Sequence, residues 1–286
     1  MKKTVFITGV STGIGRAFLE KLVMEGYHVI GTVRKEADKL ELERQFGEKA
    51  RILICDITDN AQLDQAVEQM AQYMEGEPLY ALINNAGIAV PGPMHLITDA
   101  EFEKQMDVNL MATRRVTNLL IPFLRQSGSI KPKIIFISSI SGVFAAPFNG
   151  AYCVSKHALE CLVDIYRREL RYLGIDVISI QPGPLKTEIW RKAKGSFDRF
   201  KVGAFASIAE KADKMIQHTE KSALDLKVMT DLIIKILSAP KKKNRYMVHR
   251  NALLLKLMVN VLPSSLLDKL IWSNLDKKDA KSYRPV

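Results

Sequence analysis

Seven short apolar runs recur along the chain: Thr4 to Thr8, His28 to Val33, Arg51 to Asp56, Leu79 to Asn84, Lys133 to Ser138, Asp176 to Gln181 and Arg245 to His249. Within them hydrophobic residues adjoin one another instead of alternating with polar ones, which is the pattern of strands covered on both faces. The intervening segments space their apolar residues as helices do. The first reads Ile14, Phe18 and Leu22, with Leu19 and Val23 beside them, and stops at the helix-terminating Gly26. Strands alternating with helices predict an α/β fold: a doubly wound parallel sheet of about seven strands with helices on both faces.

Two regions break this rhythm. From Leu185 to about His218 no strand pattern occurs, and Trp190, Phe197, Phe200 and Phe205 are scattered among Lys and Arg, which suits a mobile flap over a pocket. After Tyr246 the chain reads as two short amphipathic helices, Asn251 to Leu262 and Ser264 to Leu275, parted by Pro263. With 286 residues, 47% apolar and 26% charged, there is material for one sizeable core, and disorder is excluded as a global description. The formal net charge of +11 favours anionic company: nucleic acid, an acidic membrane face or a phosphorylated small molecule. A merely solvated basic surface would look the same. The runs Lys241-Lys242-Lys243 and Lys277-Lys278 lie outside any nucleic-acid-binding pattern, so no nucleic-acid partner is expected.

Cys55, Cys153 and Cys161 are widely spaced, so neither a disulfide framework nor a metal site is expected, and reduced, buried thiols are. The apolar run after Lys2 and Lys3 stops at Gly9, too short for a signal peptide, and the longest later one, Ala252 to Leu262, is broken by Lys256 and Asn260. A cytoplasmic protein is expected.

Immediately after the first strand, Thr8-Gly9-Val10-Ser11-Thr12-Gly13-Ile14-Gly15 opens the first helix. Gly9 would let the backbone turn, Gly13 would let it pass close to a pyrophosphate, and Gly15 would let helix and strand pack together, while the helix N-terminus offers N–H groups to the anion. Where an acidic residue would grip an adenosine ribose, the second strand ends Val33-Arg34-Lys35. Arg34 suits a 2′-phosphate, which favours NADP(H) over NAD(H). Asp56 would either accept from an adenine amino group or lead the next helix near Thr58, and the small residues of Asn85-Ala86-Gly87 would let a cofactor lie against the backbone.

Tyr152 and Lys156 stand four apart at the head of a helix running to Leu173, on one face. A phenol of pKa about 10 is a poor acid or base at neutral pH, and a neighbouring ammonium should pull that value down. Tyr152 could then exchange a proton with a carbonyl or alcohol oxygen as hydride moves to or from a nicotinamide. The fifth strand delivers Ser139 to the same sheet edge, where its hydroxyl would stabilise charge on the substrate oxygen. Asn109, on the long helix before it, would hold a water near Lys156 or simply mark a polar helix face.

These motifs, in order, resemble the short-chain dehydrogenase/reductase family, of the short single-domain branch. The pattern comprises T-G-x-x-x-G-x-G at Thr8 to Gly15, N-N-A-G at Asn84 to Gly87, Asn109, Ser139, Y-x-x-x-K at Tyr152 and Lys156, and P-G-x-x-x-T from Pro182-Gly183 to Thr187. The resemblance is strong over residues 3 to 190 and looser over 222 to 250. It implies a Rossmann-type catalytic domain over 1–250, with the flap at about 185–220 and a helical extension over 251–286. It further implies a catalytic tetrad of Asn109, Ser139, Tyr152 and Lys156, with Lys156 also gripping the nicotinamide ribose and Thr187 contacting the carboxamide. Pairing into a homodimer or homotetramer through the long helices after strands four and five is implied as well. Pro147 to Lys156 and Asn244 to Val248 resemble the 17β-hydroxysteroid and retinol dehydrogenase-like subgroup.

Val143, Phe144, Pro147 and Phe148, with the flap aromatics, either line an apolar pocket suited to a lipophilic ketone or alcohol or pack the flap down. The tail, with Lys256, Lys269, Lys277 and Lys278 beside Leu253-Leu254-Leu255, either packs over the substrate mouth or a second subunit or lies on an anionic membrane surface. The function expected is an NADP(H)-dependent oxidoreductase acting on a lipophilic molecule. The alternative is a noncatalytic NADP-binding regulatory or interaction protein.

Overall fold

Every one of the seven apolar runs forms a strand in the computed structural model, which is described for residues 3–126, 131–187, 195–202, 205–239 and 243–273. The strands are β1 (Thr4–Ile7), β2 (His28–Val33), β3 (Ala50–Ile54), β4 (Ala81–Asn84), β5 (Lys133–Ile137), β6 (Asp176–Pro182) and β7 (Arg245–Val248). They pair in parallel in the order β3-β2-β1-β4-β5-β6-β7. The order reverses between β1 and β4, and that reversal opens a crevice at the carboxyl ends of the strands.

Alternation along β1 shows why both faces need covering. Val5 and Ile7 join a core with Phe18 and Leu22 of α1 (Gly13–Met24), Leu42 of α2 (Glu36–Phe46) and Ile233 of α8 (Lys227–Ser238). Phe6 points the other way, into a core with Leu63 and Met70 of α3 (Asn60–Met74), Val116 and Leu120 of α5 (Thr113–Leu120) and Leu159 and Val163 of α6 (Gly150–Glu169). The first helix ends as its pattern predicts: Gly26, at φ +83°, takes the left-handed backbone that terminates it. The tyrosine helix stops at Glu169, and its last stretch to Leu173 is a tighter 3-10 turn.

The helix carrying Asn109 is not uniform. α4 (Asp99–Met106), capped by Thr98 and Glu101, runs into a π turn over Asp107–Ala112 before α5 resumes. An α-helix, α7 (Ala206–Ser222), fills the end of the region expected to be a flap. Phe200 departs from the flap expectation: it is buried, filling the space beside Gly92, where a Cβ would meet its Cζ at 2.7 Å. Trp190 lies outside the described residues. The tail forms α9 (Ala252–Val261) and α10 (Ser264–Ser273) on either side of Pro263. Cys55 and Cys153 are buried as expected, and burial pushes the Cys55 thiol up to about 12. Cys161 is exposed instead, because its position on α6 faces away from the sheet.

The edge strand β7 is fastened to α6 by charge. Arg245 Nε donates to Glu160 Oε2 at 2.8 Å and Arg245 also reaches Asp164 at 2.7 Å, while Ser179 Oγ donates to Glu160 Oε1. Glu160 is buried, so removing its charge leaves Arg245 partly uncompensated. Glu160→Ala should lower unfolding stability by about 3 kcal/mol in urea titration, and Glu160→Leu with Arg245→Met should recover most of it. An unchanged midpoint for Glu160→Ala would show that the pair does not hold β7.

Candidate active site

The turn after β1 is held open by its neighbour from β4. Asn85 Nδ2 donates to the carbonyls of Thr8 and Gly9, each at 2.9 Å, and the Asn85 and Ala86 N–H groups donate to Thr8 Oγ1. From the other side Gly9 N–H donates to Thr32 Oγ1 at 3.0 Å. Gly9 and Gly13 have φ of +71° and +63°, conformations that a side chain would strain. Gly15 needs its missing side chain for closeness: a Cβ there would lie 2.1 Å from the Gly9 carbonyl oxygen and 2.5 Å from Asn85 Nδ2.

The same turn leaves donors free. Thr12, the N-cap of α1, makes no side-chain cap bond, and no acidic residue stands in the first turn, so the first N–H groups of α1 are open to an anion. Beside them a cleft of about 480 Å³ is lined by Gly13, Lys186, Thr187, Glu220 and Leu226. Ser11 is half-buried and Thr12 exposed, and Ile14 packs partly against the core. An uncapped helix start, two left-handed glycines and an adjacent cleft fit a dinucleotide pyrophosphate. Lys186, Glu220 and Leu226 escaped the sequence reading, since only packing of α7 and α8 brings Glu220 and Leu226 to Thr187.

At the end of β2, Arg34 and Lys35 are exposed, whereas Arg16 of α1 is bound to Glu20 at 2.7 Å and Glu41 at 3.2 Å. Asp56 Oδ1 accepts from the Thr58 N–H and hydroxyl, at 3.0 and 2.7 Å. The cap of α3 is Asp59, which accepts from Gln62 N–H, so Asp56 shapes the turn ahead of the helix and does not cap it. Gly183 N–H donates to the Val248 carbonyl at 2.8 Å, and the Pro182 carbonyl accepts from Ser139 Oγ at 3.5 Å.

The four tetrad positions converge on the carboxyl edge of β4 and β5. Ser139 is buried, its Oγ accepts from Ser141 N–H at 3.1 Å, and its side chain acts on the Tyr152 phenol, favouring its ionised form. One turn along α6, Lys156 Nζ lies 5.6 Å from the Tyr152 ring centroid and donates to the Ile137 carbonyl at 2.9 Å. Asn109 sits inside the π turn; its Nδ2 donates to the Ile88 carbonyl and to Ser155 Oγ, each at 3.0 Å, and its Oδ1 accepts from Ile88 N–H. Gly87 lies between these groups, the position of a Cβ being 3.3 Å from Asn109 Oδ1 and 3.8 Å from Lys156 Nζ. Asn109 is therefore a buried scaffold residue and not part of a polar helix face.

Electrostatics at the site differ from the simple expectation. Burial raises the Tyr152 pKa, with the Ser139 hydrogen bond opposing it. Burial also lowers Lys156 to about 8, against the pull of Glu160. Desolvation pushes the phenol above its ordinary value, so Tyr152 stays protonated at neutral pH.

A family model described as short chain dehydrogenase matches residues 3–196. The chain belongs to the short-chain dehydrogenase family. The NADPH-dependent 3-dehydrocapnine reductase of Ornithobacterium rhinotracheale is 36% identical to this short-chain dehydrogenase, over 96% of this chain and 98% of that protein. Retinol dehydrogenase 16 of Homo sapiens is 28% identical, over 94% and 88%, in keeping with the subgroup that the tyrosine segment resembles. A short chain dehydrogenase from Burkholderia cenocepacia, solved in complex with NADP, shares the fold at a TM-score of 0.73 and 22% identity, covering 94% of this chain and 97% of that one.

The Gly15 contact can be tested. A methyl group there must displace the Gly9 carbonyl and Asn85 together, so Gly15→Ala should lower the melting temperature of this short-chain dehydrogenase by several degrees, about 2–3 kcal/mol. Gly26→Ala, where nothing lies within 4 Å, gives the cost of a positive φ alone. If Gly15→Ala melts with the wild type, the close approach does not constrain the turn.

Proposed function

We propose that this oxidoreductase is an NADP(H)-dependent reductase of a lipophilic ketone, or the corresponding alcohol dehydrogenase, with Tyr152 as the proton donor or acceptor. The observation carrying this reading is the Lys156 side chain 5.6 Å from the Tyr152 ring centroid, with Ser139 acting on the same phenol. The name of the 3-dehydrocapnine reductase relative supports both the cofactor and the reductive direction.

Gly9, Ser11, Thr12, Gly13, Ile14 and Gly15 would hold the pyrophosphate, Arg34 the 2′-phosphate, and Asp56, through the carboxylate oxygen not taken by Thr58, the adenine. Asn85, Ala86 and Gly87 would give the backbone surface, Lys156 would bind the nicotinamide ribose, and Pro182, Gly183 and Thr187 would flank the carboxamide. When bound, NADPH supplies hydride to the carbonyl carbon. Tyr152, kept protonated by burial, donates its proton to the carbonyl oxygen, while Ser139 donates a hydrogen bond to that oxygen as charge gathers there. Lys156, a cation below about pH 8, stabilises the phenolate that remains. Asn109 keeps the Ile88 backbone and Ser155 in place behind Lys156.

The substrate side is apolar. Phe148 meets Phe205 edge to face at 5.5 Å, the Phe205 ring lies tilted against His95 at 5.4 Å, and Arg199 ties this segment to Glu101 at 2.7 Å. With Val143, Phe144 and Pro147 these residues suit an apolar substrate with one polar end. The exposed Met111, Leu119, Val154 and Ile165 of the Asn109 helix and α6 suit pairing of two copies through those helices.

Tyr152→Phe should retain NADPH binding and lose turnover of steroid, retinoid or aliphatic ketones by about 100-fold or more, read at the nicotinamide absorbance. Undiminished turnover would remove Tyr152 from proton transfer, and NADPH binding without turnover by the wild type across the panel would favour a binding protein. Arg34→Asp should raise KM for NADPH at least about tenfold while leaving KM for NADH within about twofold. An unchanged ratio removes Arg34 from the 2′-phosphate.

A further inference from the structure

The tail presents an exposed apolar surface that no described residue of the protein body covers. No residue of α9 is buried, and Leu253, Leu254, Leu257 and Val261 are 74%, 56%, 51% and 68% exposed. At 100° per residue these four fall within an arc of roughly 100°, with Lys256 and Asn260 along one border. Leu255, Met258 and Val259 occupy the opposite side and are half-buried. Across Pro263, Leu266 and Leu270 of α10 extend the exposed apolar surface, with Lys269 beside them. A helix that is apolar on both sides needs a cover for each, and the described residues supply only one.

Charge distinguishes the candidate covers. Among the described residues 243–273, Lys243, Arg245, Arg250, Lys256 and Lys269 stand against the one acidic residue, Asp268, in a chain whose net charge is +11. Of these cations Arg245 is committed to Glu160 and Asp164. A second copy docked through the same face would bring two such surpluses together, whereas an anionic lipid surface would be attracted by them. Among the described residues no helix is long and apolar enough to cross a membrane, so the pair could lie on a bilayer but not span it.

We propose that α9 and α10 dock this short-chain dehydrogenase on an anionic lipid surface, with the leucine face in the acyl boundary and Lys256 and Lys269 at the headgroups. The tail's root makes this consequential. It leaves the sheet at Val248, whose carbonyl accepts from Gly183 N–H, and the ring of His249 fills the space where a Gly183 Cβ would come within 2.6 Å of it. Docking thus anchors the carboxyl edge of the sheet, where the candidate active site opens, and an apolar substrate could reach that edge from the bilayer.

Flotation of the full-length protein with vesicles tests this without reference to turnover. The wild type should float with vesicles of phosphatidylcholine mixed with phosphatidylglycerol, bind pure phosphatidylcholine vesicles about tenfold less, and be released by salt. Leu253→Ser with Leu257→Ser and Val261→Ser should abolish flotation while the melting temperature stays near wild type. Lys256→Glu with Lys269→Glu, which keeps the apolar face, should weaken binding to anionic vesicles about tenfold or more. The proposal is overturned if the wild type does not float with anionic vesicles or if the serine variant floats equally well. It is also overturned if the serine changes instead dissociate a dimer in sedimentation velocity, which would assign the face to a second copy. Flotation together with failure of the ketone panel would leave the docking intact and remove only the proposed reaction.

Discussion

The Asn85 amide bridges the carboxyl ends of β1 and β4 at the point where the sheet order reverses. Its two bonds to the Thr8 and Gly9 carbonyls satisfy backbone groups that the turn leaves without strand partners, and Thr8 Oγ1 in turn accepts from the Asn85 and Ala86 N–H groups. Because this amide sits where a Gly15 Cβ would be, turn, helix start and β4 form one rigid unit with no room for a side chain. That unit directs the open N-terminus of α1 toward the cleft shared with Thr187.

A second constraint is desolvation. Lys156 is buried against the Ile137 carbonyl, and burial dominates both its own titration and that of Tyr152. A phenol whose titration burial pushes up is protonated at neutral pH. Glu160, one turn beyond Lys156, both opposes the lowering of the lysine and anchors Arg245 of the edge strand. The interior of the site and the attachment of β7, from which the tail springs, therefore share one carboxylate.

The strands, the start of α1, the tyrosine helix and both tail helices were legible in the sequence. Each depends on neighbours within a few positions: adjacent apolar residues for the two-sided strands, glycines at fixed offsets for the turn, and Pro263 as the break between α9 and α10. Tyr152 and Lys156 were legible for the same reason, since i and i+4 share a face of any helix. Less visible was the π turn at Asn109, because Thr98 to Leu120 reads as one continuous helical pattern.

Local order along the chain thus determined which elements form, where they begin and which residue types reach the carboxyl edge of the sheet. Tertiary structure alone decided the contacts and charges there: the role of Gly15 beside Gly9 and Asn85, the burial of Phe200, the exposure of Cys161, the linkage of Glu160 to Arg245 and the direction in which Tyr152 and Lys156 titrate. Secondary structure follows from short-range periodicity, but close approach between distant segments and the loss of water around a side chain exist only once the chain has packed.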